Sequence, residues 1–198
     1  AEGPGLRYCV WVQGCSHHCP GCFAKDTWDS EKGRWIEIED IKEDLRRAIQ
    51  SAAEKRKDLE GLTLLGGEPF DQAQEAAQLA KEAKKHGLSV LTFTGYRLEE
   101  LRKKGPAERK LLKRTDLLID GPFEEEKKSF DRPLVGSSNQ RFHFLTDRYK
   151  KEDIMSWKNS FEIRIDQDGR IWINGMGDLA GLRDYEKRRH SSNEISWD

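Results

Sequence analysis

Two periods of apolar residues run through the first two thirds of the chain and take turns. Leu6 to Gln13 (LRYCVWVQ) is rich in β-formers and reads as a first strand. From Glu39 to about Lys57 the apolar positions recur at helical spacing, through Ile41, Leu45, Ala48, Ile49 and Ala52. Asp58 to Gly61 breaks that helix, and Leu62 to Leu65 is a short apolar strand ended by Gly66-Gly67-Glu68-Pro69. Asp71 to Lys85 is helical through Ala73, Ala76, Ala77 and Ala80, with His86-Gly87 suited to its C-terminus. Leu88 to Thr94 is the next strand. Leu98 to about Leu112 is helix interrupted at Gly105-Pro106, and Leu117 to Ile119 is a strand stopped by Asp120-Gly121-Pro122. Strands alternating with helices of this length imply βαβ units and a parallel sheet, hence an α/β fold.

The pattern then changes. Gln140 to Leu145 reads as a strand behind the loop Gly136-Ser137-Ser138-Asn139, and Phe161 to Ile165 with Arg170 to Ile173 as a β-hairpin turning at Asp168-Gly169. The last twenty or so residues are polar, and partial disorder is the expectation there. No linker divides the chain, so one domain over residues 1–198 is expected, with its core at about 3–145 and the hairpin and polar tail in 146–198.

Charge adds little. The 35 basic and 36 acidic residues nearly cancel, so no whole-molecule field points to nucleic acid or membrane. Runs such as Glu124 to Lys128 are read as solvated faces. No apolar run approaches the roughly 20 residues that span a bilayer. The opening residues lack the basic and apolar regions of a signal peptide, so a cytoplasmic location is expected.

The four cysteines change the picture. Cys15, Cys19 and Cys22 form a C-x₃-C-x₂-C loop directly after the first strand. Without a secretory signal, such a cluster favours metal over disulfides. Three thiolates on one tight loop can each ligate a different iron of a 4Fe–4S cubane and leave the fourth iron open, whereas an electron-transfer ferredoxin normally supplies a fourth thiolate. Cys9, on the strand, is read as a buried small hydrophobe. Zinc, its set completed by His17 or His18, is the alternative, and unmetallated thiols are a third.

Gly66-Gly67-Glu68-Pro69 sits where a βα unit turns over, and ligands bind at the carboxyl ends of strands in such sheets. Glycines admit a small molecule close to the backbone. On that reading a valine at Gly67 blocks the ligand and spares the cysteine loop.

The cysteine loop and this glycine-rich strand end together resemble the radical S-adenosylmethionine superfamily, and more closely the activating proteins of glycyl radical enzymes. Gly3-Pro4-Gly5-Leu6-Arg7, Asp26-Thr27-Trp28, Thr94-Gly95-Tyr96, Asp120-Gly121-Pro122-Phe123 and Gly136 to Gln140 extend the likeness in order along the chain. What the resemblance implies is a partial (β/α) barrel of the radical S-adenosylmethionine type, open on one side toward a protein substrate. The cofactors implied are a 4Fe–4S cluster and S-adenosylmethionine. One electron through the cluster cleaves the sulfonium to a 5′-deoxyadenosyl radical, which takes a hydrogen atom from a glycine of a partner enzyme such as anaerobic ribonucleotide reductase. Reduced flavodoxin or ferredoxin is the implied electron donor.

Carried over by position, Cys15, Cys19 and Cys22 are the catalytic metal ligands. Gly21 and Phe23 line the cofactor, and Gly66, Gly67 and Glu68 receive its methionine end. Thr92 and Thr94, placed on one face of their strand by alternation, join Asp120 as contacts to methionine or ribose. The chain departs from many superfamily members in carrying Gly21, not an aromatic residue, before the third cysteine. Its start at Ala1 leads to the expectation that a preceding strand common in the family is absent or removed.

Overall fold

A computed structural model describes residues 2–175. Its sheet has the strand order β1-β2-β3-β4-β5: β1 (Leu6–Val12), β2 (Leu59–Gly66), β3 (Ser89–Phe93) and β4 (Leu117–Asp120) run parallel, and β5 (Arg141–Phe144) is antiparallel to β4. The helices are α1 (Ile38–Glu54), α2 (Ala73–Lys85), α3 (Leu98–Lys103), α4 (Pro106–Arg114) and α5 (Lys151–Met155). β6 (Phe161–Ile165) and β7 (Ile171–Gly175) pair antiparallel as a separate two-stranded sheet. The polar tail expected at the end of the chain lies outside the described residues.

The helices follow from local chemistry. Acidic Glu39 and Asp40 occupy the first turn of α1, where the helix dipole favours negative charge. α1 ends in a reciprocal C-terminal cap, Lys57 N–H to Ala52 O at 2.9 Å and Arg56 N–H to Ala53 O at 2.9 Å. α2 ends the same way through Leu88 and Gly87, and here Gly87 supplies the left-handed residue at φ +73°. The run expected at 98–112 splits where Pro106 starts a new helix.

Helices cover one face of the sheet. Leu62 and Leu64 of β2, Val90 of β3 and Leu118 of β4 pack there against Leu45 of α1 and the alanine-rich side of α2. Small side chains at Ala76, Ala80 and Ala83 let α2 lie close to the strands. The opposite face carries a second core around Leu91, Leu117 and Ile119, capped by Leu134, Val135 and Ile154. Burial on both faces is why β2 and β4 read as mostly apolar runs, broken only by Thr63 within Leu62 to Leu65 and by Asp120 at the end of β4.

At the N-terminal ends of the strands, on this second face, Arg7 forms a polar floor. Its guanidinium donates to Thr63 Oγ1 at 2.6 Å, Leu62 O at 2.7 Å and Tyr149 Oη at 2.9 Å. At the other ends of the strands this face opens into a cavity. Among the described residues no helix is long and apolar enough to cross a membrane.

Candidate metal centre and its cavity

The cysteine loop is closed by backbone. Gly14 N–H donates to Thr27 O at 2.8 Å and Cys15 N–H to Trp28 O at 3.1 Å, so residues 14–28 form a loop whose two ends are tied together. Inside it, Cys22 N–H returns to Cys19 O at 3.1 Å. Pro20 and a Gly21 at φ +74° between them carry the residue signature of a type II turn. The glycine before the third cysteine is thus a turn requirement, and a Cβ there would also meet the Glu125 carboxyl, 2.7 Å from its carbon.

Cys15, Cys19 and Cys22 are free thiols, half-buried, and all three line one cavity of about 760 Å³. Burial pushes the Cys15 and Cys19 thiols up. The backbone amides of His17 and His18 pull the other way at Cys15, and that of Phe123 does so at Cys19. No three His, Cys, Asp or Glu side chains among the described residues crowd one point as the ligands of a single ion would. A cubane spreads its thiolates over separate corners.

Gly66, Gly67 and Glu68 form the facing wall. Gly67 N–H donates to Val12 O at 2.7 Å and Glu68 N–H to Gly14 O at 2.8 Å, so the pairing of β1 with β2 continues into the base of the cysteine loop. A Cβ on Gly66 would lie 2.7 Å from Val12 O, and one on Gly67 would collide with the Gly14 carbonyl. These glycines are therefore needed first for the approach of the neighbouring backbone. The expectation that a valine at Gly67 spares the cysteine loop does not stand.

The Glu68 carboxylate is wholly buried and engaged. It accepts from Phe70 N–H at 2.9 Å, Thr94 Oγ1 at 2.9 Å and Gly95 N–H at 2.7 Å. His17 Nε2 lies 3.3 Å from it without hydrogen-bond geometry, and the carboxylate raises the imidazole's proton affinity.

Of the other expected site residues, Gly21, Phe23 and Thr94 line the cavity. Thr92 and Asp120 do not. The Thr92 hydroxyl is buried 3.0 Å from that of Thr115, at the end of α4, on the helical side of the sheet. Regular alternation stops when β3 ends at Phe93, and Thr94 turns toward Glu68. Asp120 is buried in an ion network, accepting from Leu98 N–H at 2.7 Å and Arg141 Nη2 at 2.6 Å, with His143 Nε2 at 2.9 Å. It anchors α3 to the β4–β5 pair and does not face the cavity.

Burial alone would raise the Asp120 pKa. Arg141, the Leu98 amide and His143 outweigh it, so the carboxyl sits below its usual range. Its contribution to stability is present above the unfolded carboxyl value of about 3.9 and is lost as pH falls through the lower folded value. Arg141→Met is expected to reduce unfolding free energy at neutral pH by about 1–3 kcal/mol, because a buried acceptor loses its partner. The deficit should shrink once Asp120 is protonated. Urea titrations of both proteins at neutral and acid pH measure it, and a deficit independent of pH would contradict the assignment.

The cavity also contains residues that sequence reasoning missed. Phe123 could have been found by its place after Asp120-Gly121-Pro122, whereas Phe93 lies on a strand whose facing the sequence does not mark. Trp28 belongs to the Asp26-Thr27-Trp28 segment of the resemblance but had not been placed at the site, and Glu2 carried no signal. Both line the cavity with a buried polar atom, Glu2 Oε1 and Trp28 Nε1, that has no hydrogen-bond partner.

Residues 1–143 match the family described as a 4Fe-4S single cluster domain. The anaerobic ribonucleoside-triphosphate reductase-activating protein of Salmonella typhi is 34% identical over 152 residues, 73% of this chain and 92% of the relative. That of Escherichia coli K12 is 32% identical over 149 residues, 73% of this chain and 92% of the relative. The chain belongs to this family of activating proteins. The activating protein of Enterobacteria phage T4 is 30% identical over 156 residues, 77% of this chain and 92% of the relative. Membership makes a single 4Fe–4S cluster this chain's cofactor, and the three thiols at the cavity suit it. The family match ends at residue 143, ahead of α5 and the two-stranded sheet.

Proposed function

We propose that this chain is a radical S-adenosylmethionine enzyme that generates a glycyl radical on a partner enzyme such as anaerobic ribonucleotide reductase. The observation that carries the reading is the opening of a three-thiol loop, in a member of the activating-protein family, onto a cavity walled by glycine backbone. Cys15, Cys19 and Cys22 hold the cluster and leave one iron without a protein ligand. When bound, the cluster and S-adenosylmethionine supply a reductively formed adenosyl radical able to take a hydrogen atom.

The chain's own residues orient and shield. Gly66 and Gly67 bring the backbone close enough for the methionine end of the cofactor, while Gly21, Phe23 and Thr94 surround it. Glu68 acts through its neighbours, fixing Thr94 and Gly95 where the cofactor rests. Phe93 and Phe130 give the cavity apolar walls that exclude water from a reactive carbon. Thr92 and Asp120 are left out of this assignment because neither lines the cavity.

The open sheet corresponds to a partial barrel whose mouth receives the partner, the whole forming one domain. Phe123, Glu125 and Lys128 stand at the cavity beside the cysteine loop, so the stretch from Asp120 to Gln140 forms the contact. Hydrogen abstraction needs the partner's glycine nearly touching the adenosyl carbon, and a mouth walled by this charged stretch lets a loop enter. Reduced flavodoxin or ferredoxin supplies the electron in the cytoplasm, a compartment that keeps thiols reduced.

Incubating reduced protein, S-adenosylmethionine and an anaerobic ribonucleotide reductase without oxygen is expected to give a glycine-centred doublet in the electron paramagnetic resonance spectrum of the reductase. Turnover of a small molecule with no protein radical would overturn the reading.

A further inference from the structure

Thr94-Gly95-Tyr96 follows β3, yet Tyr96 is not part of the cavity lining. Its side chain reaches instead to the outside of the cysteine loop. Asp71 lies between the two. One carboxylate oxygen accepts from the Ser16 backbone N–H at 2.9 Å, and the other from Tyr96 Oη at 2.8 Å. The Ser16 and Tyr96 hydroxyls are themselves 3.1 Å apart. The next residue, His17, meets the Tyr96 ring edge-on with centroids 4.3 Å apart. It lies against Gly95 so closely that a Cβ there would come within 2.5 Å of His17 Cδ2.

The receiving side is itself held in place. Tyr96 N–H donates to Thr94 Oγ1 at 3.1 Å, and its carbonyl accepts from Gly121 N–H at 3.1 Å. Lys104 Nζ sits 3.5 Å from the centre of its ring. Glu68 fixes Gly95 from inside.

Ser16 and His17 are the first two of the three residues between Cys15 and Cys19. Turning them re-aims both thiols, because the span is too short to absorb a rotation. We propose that Asp71, Gly95 and Tyr96 are positioning residues, a seat that fixes the segment between the first two cluster cysteines and so sets the direction of their sulfurs. The proposal rests on the ligand assignment above. Outer partners of metal ligands typically change metal affinity by about 10–100-fold when removed.

Tyr96→Phe keeps the ring against His17 and removes only the hydroxyl. Asp71→Ala removes both acceptors from a solvent-facing position. Cluster-loaded proteins prepared without oxygen are exposed to a ferrous chelator, and iron release is followed. Both variants are expected to release iron about 10–100-fold faster than the unchanged protein. The reduced cluster should show a broadened, heterogeneous paramagnetic resonance spectrum, while the metal-free proteins unfold at the same temperature. Release rates and spectra matching the unchanged protein would overturn the seat. Faster release with an equally lowered unfolding temperature of the metal-free proteins would also overturn it, by showing general loosening. An unchanged protein that holds no cluster would instead overturn the ligand assignment, and the seat with it. None of these readouts depends on the partner enzyme, so they separate the seat from the activation reaction.

Discussion

Alanine at Cys15, Cys19 or Cys22 is expected to abolish the cluster, whereas Cys9→Ala should leave it intact. The three loop thiols share one cavity, and in the proposed assignment each would be the sole thiolate for its iron. Cys9 lies on β1 opposite Thr63 and takes no part in the cavity lining. Its thiol is pushed up by burial, with Glu2 adding to the shift, as suits a neutral packing residue. Iron and sulfide analysis of protein purified without oxygen should give about four of each per chain for the unchanged protein and for Cys9→Ala, and almost none for the other three. One zinc and no sulfide would refute a cubane in this loop. Loss of the cluster in Cys9→Ala would mean that the fourth cysteine is a ligand and no iron is left open.

Gly67→Val should lose both S-adenosylmethionine binding and the cluster. The added Cβ meets the Gly14 carbonyl, which is also the acceptor for Glu68 N–H. Neither backbone can retreat, since Gly14 is pinned to Thr27 and Gly67 to Val12. The strain falls one residue before Cys15. Overpacking of this kind costs about 1–3 kcal/mol, here concentrated at the base of the metal loop. Urea unfolding of the metal-free protein gives the first quantity and iron content after loading gives the second. A full complement of iron with cofactor binding alone abolished would mean that the side chain projects into the cavity and the end of the β1–β2 pair is undisturbed.

Much of this architecture can be read in the amino acids, and the exceptions share a cause. The helical spacing around Leu45 and the βα alternation reflect local periodicity, which survives in a one-dimensional string. The cysteine loop was legible because its three thiols are neighbours in the chain and need no long-range contact to share one cavity. Thr92 was misjudged because a strand buried on both faces gives no polar side by which to orient its alternation. Asp120 was misjudged because its partner, Arg141, lies 21 residues away on an antiparallel strand. Nothing local marks that pairing. Arg7 looked like part of a family motif, and only the fold reveals it as a floor beneath three strands. α5 escaped notice because five residues are too few for a periodic signal.

The loop around the cysteines is tied by Gly14 to Thr27 and by Cys15 to Trp28, through bonds that involve no metal. A protein for oxygen-free chemistry will at times meet oxygen and lose its iron. Because that tie needs no iron, loss of the cluster is expected to leave the loop's two ends joined. Reloading would then call for reduced thiols, iron and sulfide, with no need for unfolding or a new polypeptide.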